Sequence, residues 1–428
     1  MLILAAALAL TAAPLRALPV STPTLAVSET ADLAQCFAWA KEQSESLHMQ
    51  MEQVYQLEQQ FKQALAAALP NLNFNATDKW LDTSSLRGAS SPSGTFISPQ
   101  PQVNLAFSQT LFSGFREYAA MSASKHQGQA AELQLKHANT SLYQDVSNAF
   151  YLISNLEGQL VNILSAVDLS ESRIKELRHW VDLGKSRHSE VILVESQKAT
   201  YEAQAAALRG QIDVARDLLS FLTGKDMAET KLADRLERVR NLDPEETVLA
   251  RAQARTDVRA LHKQLESQED QVRLAKGAWY PSVSFLGDYY MKRVSALDPI
   301  KWDASITASL PLFSGGSQVA AVRQAKSQVS QAQYDFELGL RQARSQIHSA
   351  YNTLRASVFQ AAAAEKAYNK ANESYNLQLQ EYRLGLVNNL DVLTAINSLL
   401  SAKLTFDKTV VQSKLDLLLL KAATEELP

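Results

Sequence analysis

The sequence predicts a mostly helical protein with transmembrane β-structure, built from two copies of one strand-and-helix unit. The tetrapeptide Leu-Phe-Ser-Gly occurs at 111–114 and again at 312–315, nearly half of the 428-residue chain apart. Alternating apolar and polar residues precede each copy, and a long proline-free stretch with heptad-like apolar spacing follows it. A repeat of this size indicates duplication of a whole supersecondary unit rather than a short solenoid repeat.

The N-terminus differs from the rest of the chain. Leu2 to Ala13 form an apolar run followed by small residues, so residues 1–17 are predicted to be a signal peptide. Basic residues are missing before this run, and a buried N-terminal helix is the alternative. Beyond it, no apolar run reaches the roughly 20 residues that a membrane-spanning helix needs.

The first repeat is predicted over 30–224. A helix is expected from about 30 to 69, ending at Pro70, and strands at about 70–78 and 102–112 follow. In the first strand Leu72, Phe74 and Ala76 share one face, which is typical of a half-buried strand. A helical hairpin over 114–222 completes the repeat, with its tip near Gly184.

A linker at 225–244 leads to the second repeat, predicted over 245–427. After a helix from about 245 to 276, strands are expected at about 281–291 and 302–313. Apolar and polar residues alternate without a slip from Trp302 to Leu310. A second helical hairpin over 315–424 follows, with its tip near Gly385.

Each strand-to-helix junction carries the same dipeptide. Ser113 and Ser314 are expected to cap the N-termini of the helices that follow. Gly114 and Gly315 are expected to give the backbone the freedom to turn from sheet to helix.

Four strands per chain are too few to close a transmembrane barrel, which needs at least about eight. Open sheet edges are not tolerated in lipid, so oligomerisation is expected. Two chains would give a barrel too narrow for a channel. Three would give a 12-stranded β-barrel continued by a 12-helix α-barrel, and we therefore predict a homotrimer in a lipid membrane.

Aromatic residues flank the predicted strands where a membrane-interface girdle would lie. Ordinary packing within the sheet is the alternative interpretation. The candidates are Trp80, Trp279, Trp302, Tyr289 and Tyr290.

At this point the chain resembles the TolC-type outer membrane factor family. The resemblance rests on the paired "LFSG" endings, the strand openings "LPNLNF" and "YPSVSF", and above all "YRLGLVNNLDVLTAINSLLSAKL" from Tyr382 to Leu404. It implies a trimeric exit duct of a tripartite efflux pump or type I secretion system. The duct lies in the outer membrane of a Gram-negative bacterium, with most of the chain in the periplasm.

The resemblance also implies partners and site residues. A membrane fusion (adaptor) protein would dock at the tips, at Leu183, Gly184, Leu384 and Gly385, and would join the channel to an inner-membrane transporter of the RND, ABC or MFS type.

By position, Asp391 matches an aspartate of the family's acidic constriction, and Tyr382 with Glu190 matches a tyrosine–carboxylate gating pair. Two departures stand out: Thr394 replaces an expected carboxylate, and Val387 replaces an expected arginine. Helix capping remains the alternative for Asp391, and core packing for Tyr382.

No enzyme signature occurs in the sequence. The seven histidines are dispersed, and neither a zinc motif nor a P-loop is present, so no metal and no cofactor are expected. A net charge of −3 gives no electrostatic indication of nucleic-acid binding. A pore-free alternative also remains at this point, either a periplasmic coiled-coil scaffold or an adaptor protein.

Overall fold

The structure is a computed structural model that describes residues 30–80, 82, 99–240, 242–294 and 299–426. The predicted signal peptide at 1–17 lies outside these residues, as does most of the loop between the first two predicted strands. Fourteen helices and strands follow one another in the described chain. They are β1 (Thr30–Ala31), α1 (Leu33–Gln43), α2 (Glu45–Ala66), β2 (Asn71–Lys79), β3 (Gln100–Phe112), α3 (Arg116–Asp182), α4 (His188–Thr223), β4 (Lys231–Leu232), α5 (Glu245–Leu249), α6 (Thr256–Gly277), β5 (Ser282–Lys292), β6 (Trp302–Ser309), α7 (Ser317–Arg383) and α8 (Asn389–Ala423).

Two very long helices dominate the molecule. α3 and α7 each contain 67 residues, which corresponds to about 100 Å at about 1.5 Å per residue. Each returns through a shorter antiparallel partner, α4 with 36 residues and α8 with 35. Among the described residues, no helix combines the length and hydropathy required to cross a membrane.

The helix predicted from about 30 to 69 is interrupted, which corrects that expectation. β1 comes first, and the helical segment then divides at Ser44, whose backbone is extended (φ −66°, ψ 105°). The Ser44 hydroxyl accepts a hydrogen bond from the Leu47 amide and so caps α2. A serine that binds nearby backbone amides competes with continuation of a helix. The helix predicted over 245–276 is interrupted in the same way, by a 3-10 turn (Ala250–Ala254) and by Arg255 in an extended conformation.

The segment predicted as a plain linker contains β4, which pairs in parallel with β1. This pair lies beside a hydrophobic core that joins α1, α3, α4 and the end of α8. Phe150, Ile153 and Leu219 are fully buried there together with Cys36. Burying several such side chains contributes about 1.5–3 kcal/mol each, so this core holds α1, α3, α4 and the end of α8 together.

The remaining strands form one antiparallel sheet in the order β2-β3-β5-β6. Directly paired residues lie on the same face of a sheet, and the register therefore defines two faces. One face is almost entirely apolar, with the pairs Leu72–Phe107, Phe74–Leu105, Leu105–Tyr289, Phe285–Ile306 and Tyr289–Trp302. The other carries mostly polar residues, with the pairs Asn75–Asn104, Ser284–Thr307 and Asp288–Asp303.

The apolar face is exposed in the single chain. Phe74, Trp302 and Ile306 are 64%, 68% and 69% exposed, respectively. β6 ends at Ser309, four residues before the predicted boundary at 313. β2 and β6 are the edge strands of this sheet.

The serines at the strand-to-helix junctions do not cap the helices, and that expectation is wrong. The N-cap positions are Phe115 (φ 62°) and Gly316 (φ 84°), and neither has a side-chain cap. Gly114 and Gly315 also have positive φ, at 72° and 60°. Because the chain turns through two left-handed residues, each serine lies two positions before the N-cap, and Ser113 instead donates to Glu117.

Alanine substitution should destabilise the fold to a different extent at each of the two junction glycines. At Gly114 an added Cβ would clash with the Gly277 carbonyl and lie 2.8 Å from Cβ of Tyr280, whereas at Gly315 it meets nothing within 4 Å. Gly315→Ala should lower the free energy of unfolding by about 1–2 kcal/mol, because alanine is strained in the left-handed conformation. Gly114→Ala adds the clashes with Gly277 and Tyr280 to this strain. It should therefore lower the thermal unfolding midpoint in circular dichroism melts distinctly more than Gly315→Ala does. Equal shifts in the two variants would contradict the close approach of α6 to this junction.

Cys36 provides a test of the core. Its side chain is fully buried, and burial together with the nearby Asp32 carboxylate raises the pKa of its thiol to about 11. Since the thiolate is the reactive form, the folded chain should resist maleimide labelling at pH 8 and label fully in denaturant. Rapid labelling of the folded protein would show that the core around α1 is open.

Candidate functional site at the hairpin tips

The two hairpin tips share one local structure. α3 ends at Asp182, and Gly184 (φ 69°) follows it; the amides of Gly184 and Lys185 donate to the carbonyls of Val181 and Trp180, respectively. α7 ends at Arg383 and is followed in the same way by Gly385 (φ 74°). These two bonds define a Schellman motif, in which a left-handed glycine satisfies the last free carbonyls of a helix. Both tips are therefore hydrogen-bonded turns of the same type, and neither glycine has a neighbour within 4 Å of its absent Cβ.

Leucine side chains project from the tips. Leu183 is 55% exposed, and Leu384 and Leu386 are 74% and 71% exposed. The tip glycines and these leucines form one apolar end of the molecule in the single chain. Leu183, Gly184, Leu384 and Gly385, which the sequence indicated as docking residues, thus all lie at this end.

Behind the exposed ends, the two hairpins pack against each other. One buried cluster contains Ile174 and Leu177 of α3, Val191 and Val194 of α4, Tyr382 of α7, and Val392, Leu393 and Ile396 of α8. Val387, the residue found where the family resemblance leads us to expect arginine, packs against this cluster. The second tip is thus held to the first by apolar contacts as well as polar ones.

Tyr382 is at the centre of this contact. Its ring is 6% exposed and stacks on Trp180, with centroids 5.1 Å apart and planes at 7°. Its hydroxyl donates to Glu190 Oε2 at 3.4 Å, and the same oxygen accepts from the Ser186 hydroxyl at 3.0 Å. Burial raises the pKa of the Tyr382 phenol, an effect that the positive charge of Arg173 opposes. The hydroxyl therefore stays protonated at neutral pH and remains a donor.

Arg173 was not recognised from the sequence. It is 4% exposed, and its guanidinium carbon lies 3.9 Å from the Tyr382 ring centroid. Nε and Nη2 donate to Asn389 Oδ1 at 3.2 and 3.1 Å. A signal was present, because Arg173 lies three residues after Ser170 and four before Leu177, a spacing that places the three side chains on one face of α3.

Asp391 and Thr394 make local hydrogen bonds at the start of α8. Asp391 accepts from the Asn388 amide at 3.0 Å, while Asn388 Oδ1 accepts from the Asp391 amide at 3.1 Å, forming a capping box. The Thr394 hydroxyl donates to the Leu390 carbonyl. The Asp391 carboxylate is only half-buried, so capping leaves part of it open to solvent.

The aromatic residues at the sheet ends separate into two groups. Trp80, Trp279, Trp302 and Tyr289 are between 51% and 74% exposed. Tyr290 differs, because it is 8% exposed and its hydroxyl donates to Asp303. It belongs to the polar face of the sheet and not to the exposed aromatic set.

One further polar cluster lies far along the chain from the tips. His137, Asp257 and Glu425 place one potential ligand atom each within 4.8 Å of one another. Arg255 donates twice to the Asp257 carboxylate, and Thr256 donates twice to the Glu425 carboxylate. The cluster is thus an ion-pair network that fastens the chain beyond α8 to α3 and α6.

Comparison with known proteins places this architecture in a family. A family model described as "Outer membrane efflux protein" matches residues 39–225 and 249–416. The outer membrane efflux protein BepC of Brucella suis biovar 1 is 23% identical over 320 residues, which cover 71% of this chain and 67% of BepC.

Solved structures share the fold. A membrane protein from Pseudomonas aeruginosa aligns with a TM-score of 0.80 at 20% identity, covering 96% of this chain and 99% of that one. The outer membrane protein VceC of Vibrio cholerae aligns with a TM-score of 0.76 at 21% identity, covering 92% and 95%.

The family is one of transport channels rather than of enzymes. The family model covers all four strands of the antiparallel sheet and reaches into both hairpins, which sets aside a pore-free scaffold or an adaptor. The chain belongs to the outer membrane efflux protein family, and it is an outer membrane exit channel.

Proposed function

We propose that three copies of this chain assemble into one channel, with a 12-stranded barrel in the outer membrane and a 12-helix tunnel in the periplasm. The observation that carries the proposal is the four-stranded sheet, which combines a continuous exposed apolar face with two edge strands. Neighbouring copies would pair β2 of one chain with β6 of the next and so satisfy both edges. Three such sheets give an even strand number within the known range.

The hairpins extend this assembly toward the periplasm. Each chain contributes four helical arms, α3, α4, α7 and α8, and the two long helices have the same length of 67 residues. Equal lengths support the idea that the two halves of the chain are repeats. Twelve arms in a ring would enclose a tunnel whose entrance lies at the tips.

The tips would have two roles. The exposed Leu183 and Leu384, with the open turns at Gly184 and Gly385, would receive a periplasmic adaptor protein, and through it an inner-membrane transporter of the RND, ABC or MFS type. Tyr382 and Glu190 would contribute to a closed entrance, with Asp391 and Thr394 near its lumen. The cargo would be small molecules of an efflux pump or polypeptide of a type I secretion system.

The barrel proposal predicts opposite behaviour for two neighbouring residues of β6. Ile306 lies on the apolar face and Thr307 on the polar face. Ile306→Lys would place a charge in lipid at a cost of about 2–4 kcal/mol near the midplane, whereas lumen-facing substitutions tune selectivity instead. Ile306→Lys should therefore reduce SDS-resistant trimer in outer-membrane fractions, and Thr307→Lys should not.

Planar-bilayer conductance of the purified protein tests the same proposal directly. Wild-type protein and Thr307→Lys should both insert and give discrete current steps. A soluble helical protein that never inserts, or equal trimer yields for the two lysine variants, would contradict it.

The gate proposal predicts a limited effect of Tyr382→Phe. This change removes only the hydroxyl that reaches Glu190 at 3.4 Å, a long hydrogen bond, and leaves the stacked ring. Open probability in bilayers should rise, but by less than about tenfold. Tyr334→Phe is the control, since Tyr334 lies on the same helix and is 69% exposed. Identical current traces for Tyr382→Phe and Tyr334→Phe would show that the Tyr382 hydroxyl does not contribute to the gate.

A further inference from the structure

We propose that Arg173 is the residue that latches the second hairpin tip to the first, and that it is the main polar control of the closed entrance in this protein. The inference rests on the proposed gating function of the tips. It assigns that function to a buried guanidinium on α3, a residue outside the tyrosine–carboxylate pair.

Each of the three guanidinium nitrogens of Arg173 donates a hydrogen bond. Nε and Nη2 share the Oδ1 atom of Asn389, and Nη1 donates to Glu176 Oε2 at 2.7 Å. The flat face of the guanidinium lies 3.9 Å from the Tyr382 centroid, within cation–π range. The side chain is therefore fixed in one position by partners on three helices.

The positions of these partners explain how the latch works. Tyr382 is in the last turn of α7, and Asn389 is the first residue of α8. A single side chain from the first hairpin thus binds the second hairpin both before and after its turn. Asn389 is 2% exposed, so this contact is shielded from water. Separating the tips requires breaking the contacts of Arg173 with Tyr382 and with Asn389 together.

Arg173 also accounts for the departures from the family pattern at this tip. Position 387 carries valine and position 394 carries threonine, so the second hairpin tip provides neither the expected arginine nor the second carboxylate. In the structure, the guanidinium group at this tip belongs to Arg173 of the first hairpin. Its neighbouring charges are Glu176, which also lies 3.7 Å from Arg383, and Glu190 at the Tyr382 hydroxyl. A buried contact of this kind is screened by salt much less than exposed ion pairs are.

A matched control is available on the same helix. Arg178 is 62% exposed and pairs with Glu195 of α4 at 2.6 Å, which keeps its contact within the first hairpin. Arg173→Gln and Arg178→Gln therefore remove the same charge from the same end of α3. Only the first breaks a contact between the two hairpins.

The experiment compares wild-type protein, Arg173→Gln, Arg173→Lys and Arg178→Gln as full-length channels in planar bilayers. Arg173→Gln should raise open probability by about tenfold or more, since bonds to a charged group are lost. Arg178→Gln should match wild type. Arg173→Lys retains the charge but not the planar fork, and it should fall between the two.

Hydrogen exchange of the same proteins separates a latch from general packing. In Arg173→Gln the amides of residues 389–396 should exchange faster, while those around Phe150 in the central core stay unchanged. Faster exchange throughout the chain would overturn the latch in favour of a general packing role. Conductance and exchange equal to those of Arg178→Gln would overturn it as well. If neither the wild-type protein nor any of the variants conducts, the proposed trimeric assembly fails instead, and the exchange result still decides the role of Arg173.

Discussion

Unpaired strand edges are the constraint on which the rest of this molecule depends. β2 and β6 end the four-stranded sheet, and a bilayer interior offers backbone amides and carbonyls no partner except another strand. In the assembly we propose, further copies of the same chain close these edges. The proposed trimer and the ring of helical arms both follow from that closure.

The apolar face of the sheet adds a second part to this constraint. Phe74 and Ile306 are exposed in the single chain, and exposed apolar surface of this kind marks an interaction site. The opposite face carries Asn104 and Asp288, which hydrogen bond to each other. One face is therefore suited to lipid and the other to water, as a channel wall requires.

Much of this architecture could be predicted from the sequence because it depends on periodicity. Alternation from Trp302 identified β6, and the long seams with tip glycines identified the two hairpins. Element breaks were harder to predict, since Ser44 interrupts a run of good helix formers through a single side-chain hydrogen bond. The serine caps failed for a related reason, because Phe115 adopts a left-handed conformation that its residue type does not indicate.

At the tips, the sequence indicated positions but not partners. Tyr382 and Glu190 do meet, and Asp391 makes the capping contact that was the alternative interpretation. Arg173 was missed because its partner Asn389 lies more than two hundred residues away in the chain. Side-chain contacts at such separation depend on how whole helices pack, which local spacing does not specify.

Because α3 is long, the position of Arg173 along it determines how well this residue can resist a tilt of the helix. From Phe150 in the central core to Asp182 at the tip, the helix extends about 48 Å at about 1.5 Å per residue. Treated as a rigid lever pivoting at the core, α3 turns a tilt of about 10° into a tip displacement of about 8 Å. A restraint placed near the far end of a lever resists such a tilt with the smallest force, and Arg173 lies in the last three turns of α3.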